Sequence, residues 1–305
     1  MRILVTGASG LLGLNFCLAK MPDHEIFGVT NQTRLHNPPF PVINFDLTKD
    51  KTVMNVLDQT MPELVVNCAA MANVDQCEKT PLLAAKINAE MPGRIARECA
   101  QRSIQLIHIS TDAVFDGVDG NYRESDPPNP LSVYSKTKLA GEQNVLDENS
   151  QAMVARVNFF GFSVSGDRSL AEFFLNNLMS GKKVSGFTDI LFSPMYVNDL
   201  VDILVEMALK KLSGIYNIVS RDNLSKYDFG IMISEKFNLD GKMISPASCL
   251  QSELLAKRSP NLVLDISKLL STGIEVPNVD LAVDHFYNDY KAGLSDLIRS
   301  FNKTE

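Results

Sequence analysis

The apolar run Arg2–Thr6 leads straight into Thr6-Gly7-Ala8-Ser9-Gly10-Leu11-Leu12-Gly13, and helical apolar spacing begins inside that glycine motif. Few folds accept a strand that turns at once into a helix through three spaced glycines. Gly7 permits the tight turn, Gly10 with Ser9 lets the backbone come close to a pyrophosphate, and Gly13 lets helix and strand pack closely. The helix start at Leu11, Leu12 and Gly13 then offers unpaired N–H groups to an anion. In this position the motif points to dinucleotide binding, with a structural turn as its alternative.

The same strand–helix unit recurs along the first half of the chain. Short apolar runs at about 2–6, 25–30, 42–45, 64–68, 105–110 and 153–158 alternate with helical patterns near 11–20, 52–59, 81–101 and 131–146. Strand–helix alternation of this kind predicts an α/β fold, a Rossmann-type doubly wound parallel sheet with helices on both faces. After about Ser163 the pattern loosens, with a strand near 214–219 and helices near 169–178, 197–210, 225–237 and 280–299. We therefore expect a dinucleotide-binding domain over 1–162 and a smaller mixed α/β substrate-binding lobe over 163–305, from which later segments can return to the first domain. At 305 residues and 45% hydrophobic content the chain has ample material for such a core.

The end of the second strand carries a specificity signal. An NAD site usually places Asp or Glu there for the ribose 2′-hydroxyl, whereas this chain reads Val29-Thr30-Asn31-Gln32-Thr33-Arg34. Neutral Thr30 and Asn31 with Arg34 nearby suit a 2′-phosphate and favour NADPH over NADH, unless Arg34 is a solvated loop charge. Asp46 and Leu47, just past the third strand, stand where an adenine edge is read. Asn67, Ala69 and Ala70 end the fourth strand with small residues, as a close pass by the cofactor requires.

A second constellation lies in Tyr134-Ser135-Lys136-Thr137-Lys138. Asn129 and Pro130 upstream read as an N-cap and first helical residue, so Tyr134 and Lys138 would share a helix face at i and i+4. An ammonium ~4 Å from a phenol, at an effective dielectric of ~20, favours the phenolate by ~4 kcal/mol, about three pKa units. A tyrosine so placed could exchange protons near neutral pH. The alternative is a half-buried aromatic beside a solvated lysine.

With the glycine loop, Ser110-Thr111-Asp112-Ala113-Val114-Phe115-Asp116-Gly117, Tyr122-Arg123-Glu124-Ser125-Asp126-Pro127 and Tyr134 through Lys138-Leu139-Ala140-Gly141-Glu142 all in order, the chain resembles the extended short-chain dehydrogenases/reductases, and within them the dTDP-4-dehydrorhamnose reductase family. The match continues through Ser193-Pro194, Val197-Asn198-Asp199-Leu200, Gly214-Ile215-Tyr216-Asn217-Ile218 and Arg258-Ser259-Pro260-Asn261. The resemblance implies reduction of the 4-keto group of a nucleotide-linked 4-keto-6-deoxy sugar. Tyr134 would be the proton donor, Lys138 would hold the nicotinamide ribose, and Thr111 would orient the carbonyl. Asp112 would fix a proton relay or a sugar hydroxyl, or else serve as a turn or helix cap. The resemblance also admits a homodimer. Where such reductases usually carry a tryptophan beside the sugar pocket, this chain has no Trp, and Phe159 stands nearest that place. Arg258 suits a nucleotide diphosphate, with a surface charge as its alternative.

Other function classes fit less well. Ala113 follows Asp112 where a dehydratase of this superfamily would place Glu. An epimerase remains open, because it needs little beyond the tyrosine, and so does a binding role like that of the regulatory subunit of methionine adenosyltransferase. A net charge of −7 and a pI near 5.2 argue against nucleic-acid binding. The histidines and the cysteines show no metal-ligand spacing, so no metal is expected. Met1-Arg2-Ile3-Leu4-Val5 meets the glycine motif with no signal-peptide pattern, and no apolar run approaches ~20 residues, so a cytoplasmic protein without membrane contact is the expectation.

Overall fold

The computed structural model describes residues 1–49, 51–249 and 259–302. Its centre is a seven-stranded, wholly parallel sheet. The strands β1 (Arg2–Thr6), β2 (Glu25–Thr30), β3 (Val42–Asn44), β4 (Leu64–Asn67), β5 (Gln105–Thr111) and β6 (Met153–Val157) are joined by the strand Gly214–Ile218. From one edge to the other the order is Gly214–Ile218, β6, β5, β4, β1, β2, β3. Strand order reverses between β1 and β4, and in open parallel sheets the crevice at the carboxyl ends of such strands receives the ligand.

Register aligns that edge. Thr6 lies opposite Val29 on one side and Asn67 on the other, Asn67 opposite His108, and Thr111 opposite Val157. β1, β4 and β6 are buried almost throughout. Strands covered by helices on both faces must be continuously apolar, which is why their runs were readable in the sequence.

Some elements differ from expectation for identifiable reasons. The helix that carries Tyr134, Val133–Glu148, starts later than 131, because Ser132, rather than Asn129, caps it by accepting from the Ser135 N–H at 3.2 Å. Asn129 instead donates to Asp116 Oδ2 at 2.8 Å. The expected helix over 81–101 is α-helical at Pro81–Ala85 and Met91–Gln101 but widens into a π-turn at Lys86–Glu90. There Asn88 spends its side chain on the backbone of Met71 and on Thr137 Oγ1, and its carbonyl lies against Gly141 of the Tyr134 helix, where a Cβ would come within 2.1 Å. The expected helix over 280–299 is two, Val279–Lys291 and Leu294–Ser300, broken where Gly293 takes a φ of +84°. A short helix, Val74–Lys79, capped by Asn73, was not anticipated.

The second half is not a separate lobe throughout. Gly214–Ile218 pairs in parallel with β6, and the helix Val197–Leu209 packs on the first helix, Leu11–Lys20, with an ion pair between Lys20 and Asp202. Both segments complete the unit built on the parallel sheet. The rest of this half holds short two-stranded pairings, such as Leu191–Phe192 with Leu224–Ser225, around an aromatic cluster in which Phe162 stacks on Phe286 at 4.3 Å.

One ion pair lies wholly inside. Arg156 on β6 and Glu142 on the Tyr134 helix are each 1% exposed and bond at 2.7 Å and 3.0 Å, with Ser110 Oγ donating to the same carboxylate. Removing one member strands the other charge without water. Glu142→Ala is expected to cost about 3–5 kcal/mol in urea unfolding. A loss under about 1 kcal/mol would show that Arg156 finds another partner.

Candidate active site

Two pockets open along the carboxyl edge of the sheet. The first, of about 330 Å³, is lined by Gly7, Ser9, Gly10, Asn31, Asp46, Leu47, Ala69 and Ala70, all expected cofactor contacts. Gly7 has a φ of +65°, and a Cβ there would meet Ala69 backbone atoms at 2.8 Å. At Gly13 a Cβ would stand 2.3 Å from the Gly7 carbonyl oxygen. The loop is therefore a cradle that only glycine can form at Gly7 and Gly13, and it borders a pocket of a size that takes a small-molecule ligand.

Leu11, Leu12 and Gly13 lie behind this pocket in the core, so only their backbone N–H groups can face an anion. Asn67 does not line it either. Its side chain, 1% exposed, accepts from Thr6 Oγ1 at 2.6 Å and meets His108 Nδ1 at 3.0 Å, while Thr6 Oγ1 accepts from the Ala69 N–H at 3.1 Å. Asn67 thus shapes the turn from beneath. Arg34 is exposed and is not among the residues that line the pocket, although its neighbour Thr33 is. Asp46 accepts from the hydroxyl and N–H of Thr48 at 2.6 Å and 3.0 Å, which holds its carboxyl below the usual range and keeps it ionised. Met71 and Arg168 also line the pocket, and of the two only Arg168 was not anticipated.

The second pocket, about 120 Å³, holds Tyr134 together with Asn158, Phe192 and Lys226. Beside it, Thr111 ends β5 and caps a 3-10 turn by accepting from the Ala113 N–H at 3.2 Å. The capping role that was an alternative for Asp112 therefore belongs to Thr111. Asp112, 4% exposed, accepts from Thr111 Oγ1 at 3.0 Å and from Asn158 Nδ2 at 2.6 Å. Burial raises its pKa, against the opposing pull of Asn158, Thr111 and Lys226. Asn158, the first residue beyond β6, could have been found from its position at the ligand-binding end of the sheet. Lys226 and Phe192 had no such signal, because they arrive from distant elements.

The Tyr134–Lys138 pair behaves differently from expectation. Lys138 is 2% exposed and its Nζ donates to the Ile109 carbonyl at 2.6 Å, beneath the sheet edge and not onto the phenol. Burial brings the lysine down to about 8, although Glu142 and Cys68 pull it back up. Burial pushes Tyr134 up to about 12, Asp112 and Cys77 adding to the effect and a hydrogen bond with Thr111 opposing it. Tyr134 is therefore a neutral acid at physiological pH, not a phenolate. Phe159 is half-buried against the main core and does not line this pocket, where Phe192 stands. Arg258 lies outside the described residues; its neighbour Ser259 lines the pocket. Among the described residues no group of His, Cys, Asp or Glu could hold a metal ion, and no helix is long and apolar enough to cross a membrane.

A model of the RmlD substrate-binding domain family matches residues 1–292. The chain is 31% identical over 303 residues to a probable low-salt glycan biosynthesis reductase, Agl14, of Haloferax volcanii, covering 96% of this chain and all of that protein. It is 31% identical over 281 residues to methionine adenosyltransferase 2 subunit beta of Bos taurus, covering 90% of this chain and 83% of that one. A crystal structure of a hypothetical dTDP-4-dehydrorhamnose reductase from Sulfolobus tokodaii superimposes with a TM-score of 0.80 at 30% identity, over 90% of this chain and 96% of the other.

The buried lysine has a measurable consequence. Unfolded, it holds its proton to the ordinary lysine range near 10.4; folded, it releases it near 8. Between those values the unfolded chain binds more protons, so stability rises with pH, while below about 8 the full burial cost stands. Tyr134, whose pKa is raised by folding, removes stability only above about 10. Lys138→Met has no proton to release. Its stability advantage over the parent should shrink by about 2 kcal/mol between about pH 7.5 and 9.5 in urea unfolding. A pH-independent difference would show that Lys138 titrates normally.

Proposed function

The chain belongs to the RmlD substrate-binding-domain family of extended short-chain dehydrogenases/reductases, and from that premise we propose that it uses NADPH to reduce the 4-keto group of a nucleotide-linked 4-keto-6-deoxy sugar. The observation that carries this reading is the placement of a neutral Tyr134 beside Thr111 and Asp112 at the same carboxyl edge as the glycine cradle. NADPH, when bound, supplies the hydride. Everything else falls to backbone and side-chain groups of this chain.

The glycine loop and the helix start behind it bind the pyrophosphate through backbone N–H groups. Asp46 reads the adenine edge. Lys138 has one N–H committed to Ile109 and two remaining donors for the nicotinamide ribose hydroxyls. Thr111 hydrogen-bonds the sugar carbonyl and orients it, and Tyr134 delivers its phenolic proton as negative charge develops on that oxygen. A phenol raised to about 12 is still more acidic than the alcohol it creates, so the transfer runs toward product. The tyrosinate left behind lies on the helix face shared with Lys138. Asp112, pinned by Asn158, accepts the Thr111 hydroxyl while the pocket is free of substrate, and that single O–H turns from the carboxylate to the sugar carbonyl when substrate enters. Val74, Leu131, Ile190, Leu191 and Phe192 give the sugar pocket an apolar wall, in keeping with a deoxy position.

The direct test is NADPH consumption with dTDP-4-dehydrorhamnose, followed by absorbance. Tyr134→Phe should lower kcat by about 10²–10⁴ while leaving the NADPH Kd within about threefold. Tight NADPH binding with no turnover on any 4-keto-6-deoxy nucleotide sugar would instead support a binding role, as in the beta subunit of methionine adenosyltransferase 2. Interconversion of sugar epimers without net NADPH loss would support an epimerase.

A further inference from the structure

The first pocket contains a cation from an unexpected place. Arg168 stands on the loop between the short strand Phe159–Phe160 and the helix Leu170–Met179, far along the chain from the glycine motif, yet lines the same cavity as Ser9, Asn31 and Thr33. It is the one cation among the described lining residues. Asp46, the one carboxylate there, is already held by Thr48.

The loop that carries it is built around a buried acid. Glu172, 0% exposed, accepts from the Ser163 N–H at 2.8 Å, from Ser163 Oγ at 2.6 Å and from the Arg168 N–H at 3.2 Å. Ser163 Oγ accepts in turn from the N–H groups of Gly166 and Arg168, at 3.1 Å and 3.3 Å, and Gly166 turns the chain at a φ of +77°. Asn15 ties the start of this loop to the first helix by donating to the Phe162 carbonyl at 2.9 Å. The backbone of Arg168 is thereby fixed relative to the cradle. Its guanidinium is exposed and forms no ion pair with any described residue.

We propose that Arg168 binds the 2′-phosphate of the cofactor's adenosine ribose and, in place of Arg34, sets the preference for NADPH over NADH. The inference rests on the reading of this pocket as a dinucleotide site. A guanidinium offers paired donors that match phosphate oxygens, and the neutral Thr30, Asn31, Gln32 and Thr33 at the end of β2 present no carboxylate to repel that phosphate. Arg34, the cation that the sequence puts near this phosphate, lies outside the cavity.

Titration calorimetry of the full chain with NADP⁺ and with NAD⁺, on the parent, Arg168→Ala, Arg168→Lys and Arg34→Ala, tests this. Arg168→Ala should weaken NADP⁺ by about 10–100-fold and NAD⁺ by less than about threefold, since only NADP⁺ carries the extra phosphate. Arg168→Lys should recover part of the loss, and Arg34→Ala should shift either ligand by less than about threefold. Unchanged NADP⁺ binding in Arg168→Ala, equal weakening of both ligands, or a larger effect at Arg34 would overturn the assignment and leave the dinucleotide reading standing. Failure of the parent to bind either dinucleotide would overturn both. A matching thermal melt for Arg168→Ala confirms that the comparison is between folded proteins.

Discussion

The backbone of the glycine loop is pressed against its surroundings more closely than any side chain allows, and the rest of the site is arranged around that contact. Gly13 lies on the carbonyl of Gly7, and Gly7 lies on the backbone of Ala69 at the end of β4. Because β1 and β4 are neighbours at the point where strand order reverses, this contact fixes both walls of the crevice at once. The Thr6–Asn67–His108 chain of hydrogen bonds holds the same region from below. Burial, with Lys138 adding to it, drives His108 well below its ordinary range, so it serves there as a neutral imidazole.

Buried charge is the second organising element. Lys138, Glu142 and Arg156 form a line of ionisable groups from the crevice into the core, closed by Ser110 and by Phe115 beneath the guanidinium at 5.1 Å. Such groups cost stability unless each is partnered. Their arrangement leaves the ammonium directed at Ile109 and the phenol neutral, a protonation state suited to giving a proton away. The π-turn at Lys86–Glu90 belongs to the same design, since it brings Asn88 against Gly141 of the Tyr134 helix while anchoring Met71 in the wall of the pocket beside the glycine loop. Helix irregularities of this kind often accompany functional sites.

The features legible in the residues themselves are local and periodic. The runs at β1 and β2 were legible residue for residue because a doubly covered strand must be apolar, and the glycine loop because its turn forbids side chains. Tyr134 and Lys138 were legible as types at a spacing, and Thr111 only through the resemblance to a known family. The tertiary structure alone decided whatever depends on distant segments meeting: Gly214–Ile218 joining β6, Asn158 and Lys226 flanking Asp112, and Arg168 crossing to the glycine loop while Arg34 stays outside. It also decided the pKa values of Tyr134 and Lys138, because desolvation is set by everything packed around a group, whereas an i, i+4 spacing reports only one neighbour.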